Sequence, residues 1–200
     1  MHTILLGSSS PSRKQLLMDA KFSFRVIGHS ADETACDWGQ PLQKLVESIA
    51  LSKMEHVDIR PGKTGGYCFV LTADTLSQDS QGVISGKPLD REDARTKLKA
   101  ARNGMYTGTA FCLDRRVWHN NAWRVDKRIV RFVGAQYTFV VPDEWIETYL
   151  DASLGLNASG AIAIEGYGGL FLQEVQGSYT TIVGLPLFEL RQALTEIGFF

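Results

Sequence analysis

Hydrophobic positions along the chain alternate between short continuous runs and stripes with helical spacing. Ile4-Leu5-Leu6 is a short buried run followed by a polar Gly7–Ser10 turn, so a strand passing into a helix is predicted. Ser10 suits the N-cap, and Pro11 suits the first helical position because its missing N–H would have no partner there. A strand is predicted over Ser23–Ile27. A helix follows from Pro41, with Leu42, Leu45, Val46, Ile49 and Ala50 on one buried face. Tyr67–Ala73 is apolar throughout, the pattern of a strand covered on both faces, and it is predicted to stop at Asp74-Thr75.

Beyond it, Gly82–Ser85 reads as a short strand and Gly86-Lys87-Pro88 as a turn in which the proline keeps Lys87 extended. Asp90 caps a helix with Ala94, Leu98 and Ala101 as its apolar stripe, ended by Gly104. Met105–Leu113 and Trp118–Val133 are predicted as antiparallel strands joined through Asp114-Arg115-Arg116, with an irregularity near Lys127. Pro142 opens a helix with Trp145, Ile146, Tyr149 and Leu150 facing inward. Two glycine-rich stretches, Ser159–Gly169 and Gly177–Pro186, precede a last helix with Leu187, Leu190, Leu194 and Ile197 on one face.

Composition narrows the function classes. The 200 residues are 44% hydrophobic and 22% charged, ample for a core, and no apolar run reaches the ~20 residues of a spanning helix. A net charge of −1 gives no general attraction to nucleic acid or to an anionic membrane, so neither partner is expected. Three cysteines and four histidines are scattered, which argues against a disulfide framework or zinc and for a reducing, cytoplasmic setting. No signal-peptide pattern begins the sequence.

The candidate chemistry sits at strand and helix ends. Serine hydroxyls, free N–H groups and a helix dipole converge with Arg13 and Lys14 at the first turn, which suits an anion; an ordinary capped helix has the same pattern. Asp32-Glu33 is either solvated charge or an oxygen donor set for a hard cation. Lys53 continues the apolar stripe of its helix, either laying its methylenes over the core or presenting its ammonium to a cleft. Asp74 stands where open α/β sheets place ligands, although an aspartate also starts turns. Gly62-Lys63-Thr64 lacks the earlier glycine and the preceding strand of a phosphate-binding loop and is rejected as one.

Seven motifs occur in order: Gly7-Ser8-Ser9-Ser10-Pro11-Ser12-Arg13, Asp32-Glu33, Lys53, Ala73-Asp74-Thr75, Gly86-Lys87-Pro88, Glu165-Gly166 and Val183-Gly184-Leu185-Pro186. Together they resemble the Maf family of nucleoside triphosphate pyrophosphatases, from Leu5 to about Leu194. The resemblance implies an α/β, ITPase-like fold over residues 1–200, a single domain of two lobes around an elongated mixed sheet with a deep cleft between them, assembling as a homodimer. It implies hydrolysis of a nucleoside triphosphate to the monophosphate and pyrophosphate, with a divalent cation, magnesium or alternatively manganese. On matching positions, Ser8, Ser10, Arg13 and Lys14 would hold phosphates, Lys53 and Lys87 would neutralise them, Glu33 and Asp74 would bind the metal, and Asp74 would be the general base. Retention of that base weighs against a non-catalytic nucleotide-binding regulator of cell division, the reading from another class.

The family's specificity positions are mixed. Ser12 fits neither subgroup, Thr75 resembles the dTTP/UTP type, and Glu165 resembles the 7-methyl-GTP type. A carboxylate pairs with the N1–H and amine of a guanine edge, whereas its second oxygen would face a carbonyl of uracil or thymine. That mismatch costs about 1–3 kcal/mol, so a modified or guanine-type nucleotide is expected at Glu165, with dTTP or UTP as the alternative.

Overall fold

The structure is a computed structural model that describes residues 2–200. Its strands and helices are β1 (Ile4–Leu6), α1 (Pro11–Asp19), β2 (Phe24–Val26), α2 (Leu42–Glu55), β3 (Tyr67–Asp79), β4 (Ile84–Ser85) and α3 (Arg91–Ala101). They continue with β5 (Met105–His119), β6 (Ala122–Phe139), α4 (Ile146–Ala152), β7 (Leu172–Gln176), α5 (Tyr179–Val183) and α6 (Leu187–Glu196). Among the described residues the strands form one mixed sheet in the order β2-β1-β3-β5-β6-β7, with β4 paired to β3. The α/β expectation holds. No helix among these residues is long and apolar enough to cross a membrane.

The chain divides into two compact units. Met1–Asp74, Ala110–Phe132 and Gly184–Phe200 form the first; Thr75–Thr109 and Val133–Val183 form the second.

In the first unit β1 runs parallel to both β2 and β3, with Leu5 opposite Arg25 and Val70. Ile4, Leu6, Phe69 and Leu71 pack with Leu17 of α1 and Leu190 and Leu194 of α6. Leu5 and Val70 pack with Met54 of α2 on the other face. Burial on both faces is why these strands read as unbroken apolar runs. In the second unit Ala94, Leu98 and Ala101 of α3 pack with Phe139 of β6 and with Ile146, Tyr149 and Leu150 of α4.

Three expectations are corrected. β3 does not stop at Asp74 but runs on to Asp79, because Ser77, Gln78 and their neighbours keep pairing and β4 joins there. Asp114-Arg115-Arg116 is not a connector but mid-strand, since all three side chains find charged or carbonyl partners. The turn lies instead at Asn120-Asn121, both left-handed with φ of 48° and 56°, the conformation a two-residue hairpin needs and asparagine tolerates. Trp145 is 44% exposed rather than inward, although its ring still meets Phe171 edge-on at 6.1 Å. Arg124–Lys127 lose the strand alternation and are all exposed, in keeping with the irregularity predicted there.

Candidate functional site

The start of α1 forms as its residues dictate. Ser10 Oγ accepts from the Arg13 backbone N–H at 3.4 Å, and Pro11 holds the first position. Ser8 is almost fully buried, and its Oγ accepts from the Ser10 N–H at 3.3 Å and from Arg13 Nη1 at 3.1 Å. Arg13 Nε donates to the Gly184 carbonyl at 2.8 Å, which explains why a glycine-rich motif far along the chain accompanies the first one. Burial pulls the Arg13 guanidinium below its ordinary value, and the charges of Asp74 and Glu33 oppose that shift. Arg13 is therefore a buried cation fixed at a helix N-terminus within the field of two carboxylates. Lys14 and Ser12 are half-buried beside it.

Lys53 is the hub of the first unit's charged residues. Its position in phase with the α2 stripe buries it to 6% exposure, and its Nζ meets Asp74 Oδ1 at 2.7 Å and Glu33 Oε1 at 3.0 Å. Burying an ammonium costs several kcal/mol unless it is paired, and here it is paired twice. The acidic pair of the preceding loop divides its work. Asp32 caps a short turn, accepting from the Thr34 N–H at 2.9 Å and hydroxyl at 2.6 Å, hydrogen bonds that lower its carboxyl. Glu33, with a side chain 45% exposed, reaches Lys53.

Asp74 is 6% exposed, and its second oxygen, Oδ2, is buried without a hydrogen-bond partner. A buried carboxylate oxygen with no donor is costly, and such atoms are rare outside places where water, an ion or a reacting group completes them. No cluster of three or more His, Cys, Asp or Glu side chains gathers among the described residues. A magnesium-like cation does not need one, because it takes one or two carboxylates and fills its octahedron with water and phosphate oxygens. Asp74 and Glu33, two oxygen donors linked through one lysine, fit that requirement and not the nitrogen and sulfur set of zinc.

Two neighbours escaped the sequence reading. Thr72, fully buried, donates its hydroxyl to the Ala50 carbonyl at 2.8 Å; only contact with α2 gives it significance. His29 has a buried Nδ1 without a partner, and burial, with Lys53 and His56 nearby, lowers its pKa against the opposing charge of Glu33. The four histidines lie far apart along the sequence, which gives no sign of that placement.

Thr75, Lys87 and Glu165 belong to the second unit. Thr109 gives its hydroxyl proton to the Thr181 carbonyl at 2.7 Å and lies 2.9 Å from Thr75 Oγ1. Thr75 must therefore be the donor of that pair. The turn carrying Lys87 is docked by the Gly160 N–H on the Gly86 carbonyl at 3.0 Å and by Ser159 Oγ on the Ser85 carbonyl at 2.8 Å. Lys87 itself is exposed. The segment before Glu165 winds around Tyr149, whose hydroxyl donates to the Ala161 carbonyl at 3.0 Å and accepts from the Ala163 N–H at 2.8 Å. Glu165 begins a turn of 3-10 geometry, Gly166–Leu170, and is half-buried.

An α/β sheet carrying a buried cation at a helix start and a buried lysine–carboxylate pair has the build of a protein that handles small anions. The chain belongs to the Maf-like protein family, whose model matches residues 3–197. It is 34% identical to the dTTP/UTP pyrophosphatase of Anaeromyxobacter dehalogenans, over 98% of this chain and 94% of that one. It is 32% identical to the nucleoside triphosphate pyrophosphatase of a Synechococcus species, with the same coverage. A dTTP/UTP pyrophosphatase of Caldicellulosiruptor saccharolyticus is 29% identical, over all of this chain and 96% of its own.

Proposed function

We propose that this protein is a hydrolase of phosphoanhydride bonds that converts a nucleoside triphosphate to the monophosphate and pyrophosphate by attack of water at the α-phosphorus. The observation that carries the reading is Asp74, with one oxygen on Lys53 and the other buried and unsatisfied. The names of the relatives, all pyrophosphatases of nucleotides, support the same reaction.

In this mechanism Asp74 Oδ2 accepts a proton from the attacking water, a role that requires hydrogen-bond reach and a carboxylate kept ionised. Lys53, on the other oxygen of Asp74, adds positive charge where the phosphate chain gains negative charge. Ser8, Ser10, Arg13 and Lys14 bind phosphate oxygens around the start of α1, and Lys87 contributes a further cation. Glu33 and Asp74 would hold a divalent cation, which would neutralise phosphate charge. Magnesium suits two carboxylates; manganese is the alternative.

For the base, the relatives' names favour thymine or uracil. Thr75 is compatible with that choice, since it resembles the residue of the dTTP/UTP type at this position. Glu165 favours a second reading, a guanine-type or 7-methylated base, through its two acceptor oxygens. Pyrophosphate release measured with magnesium across dTTP, UTP, CTP, GTP and 7-methyl-GTP separates them. Preference for dTTP or UTP supports the first; selective release from 7-methyl-GTP makes Glu165 the base reader. Binding without release from any nucleotide would replace the enzyme with a nucleotide-binding regulator.

A further inference from the structure

The first unit carries a second feature that the catalytic reading does not use. A groove of about 550 Å3 opens at the N-terminal ends of β1 and β3, while Asp74 lies further along β3. Leu5 and Phe69 line it, together with Arg25, Arg60, Tyr67 and Trp123; no aspartate or glutamate does.

The groove brings two arginines together in a lining that holds no acid. Arg91, Arg95, Arg102, Arg115, Arg116, Arg128 and Arg131 all make ion pairs. Among the described residues the exposed Arg25, Arg60, Arg124 and Arg191 make none, and of these Arg25 and Arg60 border the same acid-free groove. A guanidinium presents a planar fork that matches two phosphate oxygens at once.

The aromatic wall is fixed in advance. Trp123 Nε1 donates to the Arg60 carbonyl at 2.9 Å, so the indole and the arginine's backbone are held together. Gly62 packs so closely on the same ring that a Cβ there would stand 2.7 Å from it, which accounts for the glycine in the Arg60–Gly66 loop. Tyr67 is braced by His2, hydroxyl to Nε2 at 3.2 Å, with the rings edge to face at 5.3 Å. Prior ordering of a wall removes part of the entropy cost of binding. The groove also falls within the roughly 300–1,000 Å3 range of small-molecule sites.

We propose that this groove is a second binding site, for a phosphorylated aromatic small molecule of the nucleotide class. Arg25 and Arg60 take its phosphate, and Trp123 and Tyr67 take the face of its base, an arrangement that tolerates any base because every base has a π-face. The site stands apart from Asp74 and does not depend on the reaction proposed there.

The test is calorimetric titration of the full chain with adenosine 5′-monophosphate at about 0.15 M salt, where weak surface attraction is screened. The Arg25→Gln/Arg60→Gln protein is expected to bind one equivalent fewer than wild type, with an unchanged melting temperature and unchanged pyrophosphate release. Arg60→Lys, which keeps the charge and loses the fork, is expected to weaken the same site several-fold. Trp123→Leu is expected to weaken the monophosphate at least tenfold and inorganic pyrophosphate, which has no base to stack, by much less. An unchanged stoichiometry in the double variant overturns the proposal. So does pyrophosphate binding as tightly as the nucleotide with no response to Trp123→Leu, which would mean a bare anion surface. Failure of the catalytic reading would appear separately, as wild-type protein that releases no pyrophosphate.

Discussion

Thr72 and Asp74 make two successive rungs between β3 and α2. Thr72 Oγ1 donates to the Ala50 carbonyl at 2.8 Å, and two residues on, Asp74 Oδ1 meets Lys53 at 2.7 Å, one helical turn beyond Ala50. The far side of that turn is also held. Arg116 Nη2 donates to the Met54 carbonyl at 2.9 Å, and Arg128 pairs with Glu55. Both arginines grip Asp114, which is fully buried. Lys53 is thus carried on a helix end fastened on both flanks, which fixes its Nζ against Asp74 before any substrate arrives.

The two members of the buried pair respond differently to removal. Asp74→Asn leaves Lys53 with Glu33, so it costs little stability while turnover falls by about 10²–10⁴ and nucleotide binding persists. Lys53→Met strands the Asp74 carboxylate without a cation and is expected to cost roughly 3–5 kcal/mol as well as activity. Chemical denaturation of both variants beside a pyrophosphate assay checks this asymmetry.

The lower rung is a hydrogen bond without a charge. Thr72→Val keeps the side-chain shape but leaves the Ala50 carbonyl without its hydroxyl, for an expected loss of about 1–3 kcal/mol. If the rung positions Lys53, kcat falls with little change in KM.

Two glycines of the second unit separate by what stands beside them. A Cβ on Gly168 would lie 1.7 Å from the Ala163 carbonyl oxygen, part of the backbone that Tyr149 holds before Glu165. One on Gly134 would lie 1.9 Å from the Tyr106 hydroxyl, the far end of a side chain. Gly168→Ala is therefore expected to lose about 1–3 kcal/mol or more and to impair turnover, and Gly134→Ala less of both; thermal melts and the same assay decide it.

The Glu147 carboxyl is held down at about 2 by hydrogen bonds from Arg95 and Arg91, against an ordinary value of 4.5. A depressed carboxyl stabilises the folded chain above its unfolded value and loses that contribution as pH falls through the folded one. The melting difference between wild type and Glu147→Gln should thus be full near neutrality, shrink from about 4.5 downward, and vanish near 2. Because these groups are exposed, salt should also shrink it.

What the sequence discloses and what it hides divide along a physical line. Local signals were legible: the Ser10 cap, the proline of the first turn, the stripe of α2 and the doubly covered run of β3 all depend on neighbours within a few residues. Lys53 was legible as an oddity, a cation in phase with an apolar face, but its two carboxylate partners lie in other elements. The extent of β3 beyond Asp74 was not, because hydroxyl pairs such as Ser77 with Thr107 make a polar stretch acceptable inside a sheet. Asp114-Arg115-Arg116 reads as a connector for a related reason. An aspartate flanked by arginines looks like a loop until Arg128, from the next strand, is seen gripping it.

The central claim, water attack at the α-phosphorus, is tested most directly by a single turnover of dTTP with magnesium in 18O-labelled water. One labelled oxygen in the monophosphate and none in the pyrophosphate are the expected result. Label in the pyrophosphate, or release of inorganic phosphate in its place, would contradict it.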